Sequence, residues 1–119
     1  MIISGKKCPV QANIEEVAEK TVECLLKNVP SELAGIVFLS GGQSAKLATA
    51  HLNTMNANNK DLPWPLSFSY GRALQEPCLK VWGGNSTNIE AAQKALLHRE
   101  KCNGLACKGE YDSKMEEAA

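Results

Sequence analysis

Ser40-Gly41-Gly42 closes a short apolar run, Leu33 to Leu39, and its residue types fit one kind of chemistry. Two adjacent glycines permit positive φ and leave backbone N–H groups open to a ligand. Ser44, just beyond, is placed to cap a following helix, whose free N–H groups and dipole favour an anion. The same residues also suit an ordinary strand-to-helix turn. A second stretch, Leu66 to Leu74, has the same form: an alternating run carries Ser69, ends at Gly71 and leads directly into Arg72. A guanidinium there offers phosphate oxygens a planar, permanently charged fork, or forms half of a surface ion pair.

Other reactive side chains are less well placed. The five cysteines, Cys8, Cys24, Cys78, Cys102 and Cys107, are odd in number and contain no C-x-x-C, which suits a reducing compartment. Cys102 and Cys107, with His98, come nearest to a metal cluster. A cysteine on an amphipathic helix reads as a small apolar residue, so no metal is expected. His51 and His98 have no partner at catalytic spacing and read as satisfied or exposed histidines. Lys6, Lys7, Lys80 and Lys101 stand at no predicted strand end and read as solvated lysines. Trp64 and Trp82 read as packing residues. Gln43-Ser44-Ala45-Lys46 lacks the G-K-[ST] ending of a P-loop.

The elements that must position these residues follow from periodicity. Asn13 caps a predicted helix to about Val29, with Ile14, Val17, Ala18, Thr21, Val22, Leu25 and Leu26 on one face and Pro30 as its stop. A buried strand at 35–39 leads to a second helix from about Ser44 to Asn56, with Leu47, Ala48, Leu52 and Met55 inward. After the polar turn stretch "NANNKDLPWP", Leu66 to Tyr70 forms the second strand. Pro77 suits the first turn of a short helix ending at Trp82. Thr87-x-x-Glu90 forms a capping box for a last helix, Asn88 to Asn103, ended by Gly104. The polar tail from Lys108 to Ala119 is expected to be mobile.

Two strands joined by a helical crossover lie parallel. Parallel sheets need both faces covered and are rarely so small. The fold class expected is therefore α/β, with residues 1–107 forming one end of a larger sheet protein. Thirteen basic and thirteen acidic residues cancel, which gives no reason to expect nucleic acid or a membrane surface as partner. Met1 to Lys7 lacks the pattern of a signal peptide, and a cytoplasmic location is expected.

"FLSGGQS", "PWPLSFSYGRALQ" and "LKVWGG", and more loosely "AAQKALLHREKCNGLACKGEY", resemble the C-terminal portion of class I fructose-1,6-bisphosphate aldolases. The resemblance runs from about Met1 to Tyr111. It implies an eight-stranded TIM (β/α)8 barrel, of which this chain supplies the last two strands. It implies no cofactor and no metal, because a lysine forms a Schiff base with the substrate ketone. Carboxylates elsewhere handle protons as fructose 1,6-bisphosphate splits into dihydroxyacetone phosphate and glyceraldehyde 3-phosphate. By position, Ser40, Gly41, Gly42, Ser69, Gly71 and Arg72 would hold the phosphate on the dihydroxyacetone side. Full-length members are implied to be homotetramers.

The same resemblance places the catalytic groups elsewhere. Met1 matches the methionine of the family's Lys-Pro-Asn-Met run, so the Schiff-base lysine is expected three residues upstream, with the carboxylates further back. The 119-residue chain alone is therefore expected to be inactive. A non-catalytic aldolase-derived protein that keeps phosphate or partner binding is the alternative. Ala45-Lys46-Leu47 and Asn85-Ser86-Thr87 depart from the family's usual acidic and basic stretches.

Overall fold

The computed structural model describes residues 1–117 and contains two short strands and four α-helices. Asn13 starts α1 (Ile14–Asn28), its side chain accepting a hydrogen bond from the Glu16 amide at 2.8 Å. Ser44 does the same for α2 (Ala45–Asn58) through the Leu47 amide, at 3.2 Å. Both caps stand where the sequence places them, because capping depends only on residues three positions apart.

β1 (Ile36–Phe38) and β2 (Leu66–Phe68) pair in parallel, with Ile36 opposite Leu66 and Phe38 opposite Phe68. The crossover between them is α2, which packs against α1, β2 and both later helices. Val22, Phe38, Leu52, Met55, Trp64, Leu66 and Tyr70 form the core around it. The Tyr70 hydroxyl donates to the Ala48 carbonyl at 2.8 Å, and burial pushes its pKa above the usual phenol range. Asn56 ties three elements with one amide, its Nδ2 lying 3.3 Å from Leu52 O, 3.2 Å from Leu66 O and 3.0 Å from Ala106 O. The outer face of the sheet is uncovered: Val37 is 62% and Leu39 72% exposed.

Several expectations need correction. Leu47 and Trp82 are exposed rather than packed inward, whereas Trp64 is buried and donates to Pro30 O at 2.9 Å. α3 runs over Arg72–Trp82, so Pro77 sits in its interior and not in its first turn. Gly71 begins this helix directly from the strand end, which leaves Pro77 one turn too late to start it. Asn85, not Thr87, caps the short 3-10 turn Ser86–Asn88 that leads into α4 (Ile89–Ala106).

Gly104 lies inside α4. The helix ends at Gly109, which has φ +72°, with Glu110 N bonded to Leu105 O and Gly109 N to Ala106 O. This is a Schellman closure, which satisfies the last carbonyls and requires a left-handed residue. A Cβ on Gly109 would stand 2.7 Å from Ala57 N, and one on Gly104 would meet nothing within 4 Å. Gly109→Ala is therefore expected to lose about 1–3 kcal/mol from backbone strain alone, before the clash. Gly104→Ala should gain about 0.5–1 kcal/mol. Urea midpoints of opposite sign check the assignment; equal shifts would refute it.

Lys108 onward, expected to be a mobile tail, turns back on the helices. Tyr111 N donates to Asn53 Oδ1 at 2.9 Å, and a 3-10 turn, Ser113–Glu116, follows. Glu116 there meets Arg99, whose side chain is only 4% exposed. Arg99 Nη1 lies 2.8 and 2.6 Å from the two carboxylate oxygens, and Nη2 donates to Thr49 Oγ1 at 2.6 Å. Ala118 and Ala119 lie outside the described residues. Among the described residues no helix is long and apolar enough to cross a membrane.

Candidate functional site

Parallel strands bring their carboxyl ends to one edge, and here those ends are in register. The ladder extends one bond past the strands, from Ser69 N to Phe38 O at 2.8 Å. Ser40 and Ser69 thus follow the two strands at the same edge, and Ser40 is only 4% exposed.

Beyond Ser40 the chain turns sharply. Gly41 and Gly42 have φ +60° and +83°, values that an L side chain adopts only at a cost. Gln43 braces the turn. Its backbone N–H donates to Ser40 O at 3.1 Å, and its side-chain Nε2 donates to the same oxygen at 2.8 Å. Its Oε1 faces His51 Nδ1 at 2.6 Å, so Nδ1 carries the proton. Burial lowers the His51 pKa and favours that neutral form. His51 thus holds the glutamine through Nδ1, but it is neither exposed nor fully satisfied as the sequence suggests, since its buried Nε2 has no hydrogen-bond partner among the described residues.

At the other strand end, Gly71 precedes α3 with no side-chain cap, while its carbonyl accepts from Leu74 N at 3.1 Å and Gln75 N at 2.9 Å. The first N–H groups of α3 are left without a capping side chain. Arg72, the first residue of this helix, reaches across to the glycine turn. Arg72 Nη2 lies 3.6 Å and Lys6 Nζ 3.7 Å from the point where a Cβ on Gly42 would stand. Among the described residues neither cation forms an ion pair. A cavity of about 370 Å³ beside the turn is lined by Lys6, Gly41, Gly42, Ser44 and His51, among others.

The space over Gly42 is thus flanked by two unpaired cations and bordered by two glycines in left-handed conformation. Such a place suits an anion with several oxygens. Of the residues picked out by sequence, Arg72 comes close to the space over Gly42, and Ser40 and Ser69 follow the two paired strands. Lys6 is the residue the sequence reading missed. The turn from Gly5 O to Cys8 N, at 2.9 Å, carries it to the site. Gly5 signals that turn, but no local spacing says which surface it folds onto.

A strand–helix–strand unit whose two parallel strands end in glycine turns at one carboxyl edge is an α/β arrangement, the class in which ligands sit at that edge. The family model for class-I fructose-bisphosphate aldolases matches residues 1–119, and the chain belongs to that family. A probable class 1 fructose-bisphosphate aldolase of Xanthomonas axonopodis is 56% identical over 112 residues, covering 93% of this chain and 33% of that protein. The fructose-bisphosphate aldolase of Dictyostelium discoideum is 51% identical over 93% of this chain and 31% of its own length. A Plasmodium falciparum aldolase, solved in complex with TRAP and a small-molecule inhibitor, superposes with a TM-score of 0.88. It is 43% identical, over 92% of this chain and 31% of that one. The chain therefore spans about a third of the length of the curated relatives it matches.

Proposed function

We propose that this segment is the sugar-phosphate-binding part of a cytoplasmic class I fructose-bisphosphate aldolase, completed by further strands into a (β/α)8 barrel. The observation that carries the reading is the gap over Gly42, flanked by Arg72 and Lys6, in a chain of this family. Backbone N–H groups at Gly41, Gly42 and Gly71 and the hydroxyls of Ser40 and Ser69 surround a phosphate on carbon 1 of the substrate. Arg72 neutralises it through paired hydrogen bonds, and Lys6 adds a second, point-like charge. Held at that end, the ketone carbon is presented to a Schiff-base lysine outside this segment, so that phosphate binding energy serves orientation.

Lys6 provides the test. In a full-length enzyme carrying this segment, Lys6→Ala should raise KM for the bisphosphate about three- to tenfold, the loss of one exposed charged contact. Cleavage of a ketose without the carbon-1 phosphate should not change. An equal effect on both substrates would remove Lys6 from the site.

The missing imine lysine is tested on the 119-residue chain itself. Borohydride added with dihydroxyacetone phosphate should leave no covalent adduct by mass spectrometry. A stoichiometric adduct on any lysine of this chain would show that it carries the imine chemistry itself.

A further inference from the structure

A second group of reactive side chains lies on the last helix, away from the glycine turn. His98 and Cys102 are four residues apart on α4 and so occupy adjacent turns of one face. Cys107, which the sequence groups with them, is turned elsewhere, its Sγ lying 3.4 Å from Ser67 Oγ. The 3-10 turn Ser113–Glu116 puts Glu116 in its place. His98 Nε2 lies 3.2 Å from Glu116 Oε2 and 3.6 Å from Cys102 Sγ, and the three donor atoms all lie within 4.8 Å of one another.

We propose that His98, Cys102 and Glu116 bind a zinc-class divalent ion, which fastens the chain's folded-back end to α4. A tetrahedral ion bonded to nitrogen, oxygen and sulfur holds its donors about 3.3–3.6 Å apart, given bonds of about 2.0–2.3 Å. The His98–Cys102 separation of 3.6 Å matches, the His98–Glu116 separation of 3.2 Å falls just short, and the remaining pair, within 4.8 Å, draws together on binding. One imidazole nitrogen facing both a carboxylate and a thiol leaves a single shared point, where a proton or a metal fits.

Glu116 is able to serve both the ion and Arg99. Arg99 and Tyr111 hydrogen-bond to Oε1, at 2.8 and 2.9 Å. Oε2 accepts from Arg99 at 2.6 Å and retains one lone pair on the His98 side. Arg99 and Tyr111 thus orient the ligand from behind, as outer partners do in metal centres. The borderline-soft N, O, S set favours zinc or cobalt over magnesium or calcium, which take oxygen donors. A cavity of about 690 Å³, lined in part by His98, Arg99 and Glu116, opens on the cluster and leaves room for water as fourth ligand. Burial, and after it the Glu116 charge, pushes the Cys102 thiol pKa up, so the metal-free protein holds a thiol there. Binding displaces that proton to solvent, while the remaining His98 proton resides on Nδ1. The site is independent of the phosphate reading and takes no part in carbon–carbon cleavage.

Cobalt(II) titrated into the reduced chain is the direct probe. One equivalent should give intense tetrahedral visible bands and a near-ultraviolet thiolate-to-cobalt band, both bleached by zinc. Cys102→Ser should abolish the near-ultraviolet band. His98→Gln and Glu116→Gln should each weaken binding by at least about 10- to 100-fold, the loss seen when even outer partners are removed. Cys107→Ser, which alters the thiol that faces Ser67, should bind as the parent does. Absence of a thiolate band up to millimolar cobalt, or its survival in Cys102→Ser, overturns the proposal. So does its loss in Cys107→Ser with retention in the other variants.

Discussion

Glu116→Ala is expected to lower the stability of the fold at neutral pH by about 3–5 kcal/mol. The size follows from what stays behind. Arg99 is 4% exposed and Glu116 7% in their side chains, and the two meet through bonds of 2.6 and 2.8 Å. Removing the carboxylate strands a permanent charge in a site where, among the described residues, only Thr49 Oγ1 still accepts from it. Replacing both partners, as Arg99→Met with Glu116→Gln, should recover most of the loss, because no buried charge then remains. Denaturant unfolding of the single and double variants measures it. A loss in Glu116→Ala below about 1 kcal/mol would class the pair with exposed salt bridges.

The same pair sets an acid limb. Burial works to raise the Glu116 pKa, but hydrogen bonds from Arg99, Tyr111 and His98, with the Arg99 charge, hold it below the usual carboxylate value. A folded pKa below the unfolded one contributes stability above the unfolded value. That contribution is lost as pH falls through the folded value. The parent should therefore lose stability on acidification below the ordinary glutamate range more steeply than Glu116→Ala.

The second large effect is kinetic. On the proposed phosphate-binding role, Arg72→Ala in a full-length enzyme carrying this segment is expected to remove charge-assisted hydrogen bonds worth about 1.5–3 kcal/mol. That corresponds to a loss of about 10- to 150-fold in kcat/KM for fructose 1,6-bisphosphate. Arg72→Lys should recover only part, since a point charge cannot copy the two-pronged fork. A ketose lacking the carbon-1 phosphate should react as before. Equal losses on both substrates would assign Arg72 to holding the fold and not to gripping the phosphate.

Local signals account for most of what could be read before the structure. Asn13 and Ser44 cap helices through residues three positions on, and both strands lie in the expected apolar runs, though they stop at Phe38 and Phe68, three residues short of the glycines. Glycine and proline misled where several positions competed for one role. Pro77 suggested a helix start, but the uncapped strand end at Gly71 had already begun the helix. Gly104 suggested the end of α4, but it is Gly109 that adopts the left-handed closure there. The groups that matter most were set by distant contacts. Lys6 meets Gly42 across more than thirty residues, and Glu116 reaches Arg99 and His98 only because Tyr111 docks on Asn53. No periodicity carries such pairings.

The amide of Asn56 links a helix turn, a strand and the end of the last helix through Leu52, Leu66 and Ala106. Two hydrogens serving three carbonyls cannot release one partner without redistributing the others. α2, β2 and the close of α4 are thereby made to open together rather than singly, as one cooperative unit of hydrogen exchange. The carboxyl edge of the sheet belongs to that unit through β2. A ligand seated over Gly42 would slow exchange in the last turn of α4, through the one amide nitrogen that strand and helix share.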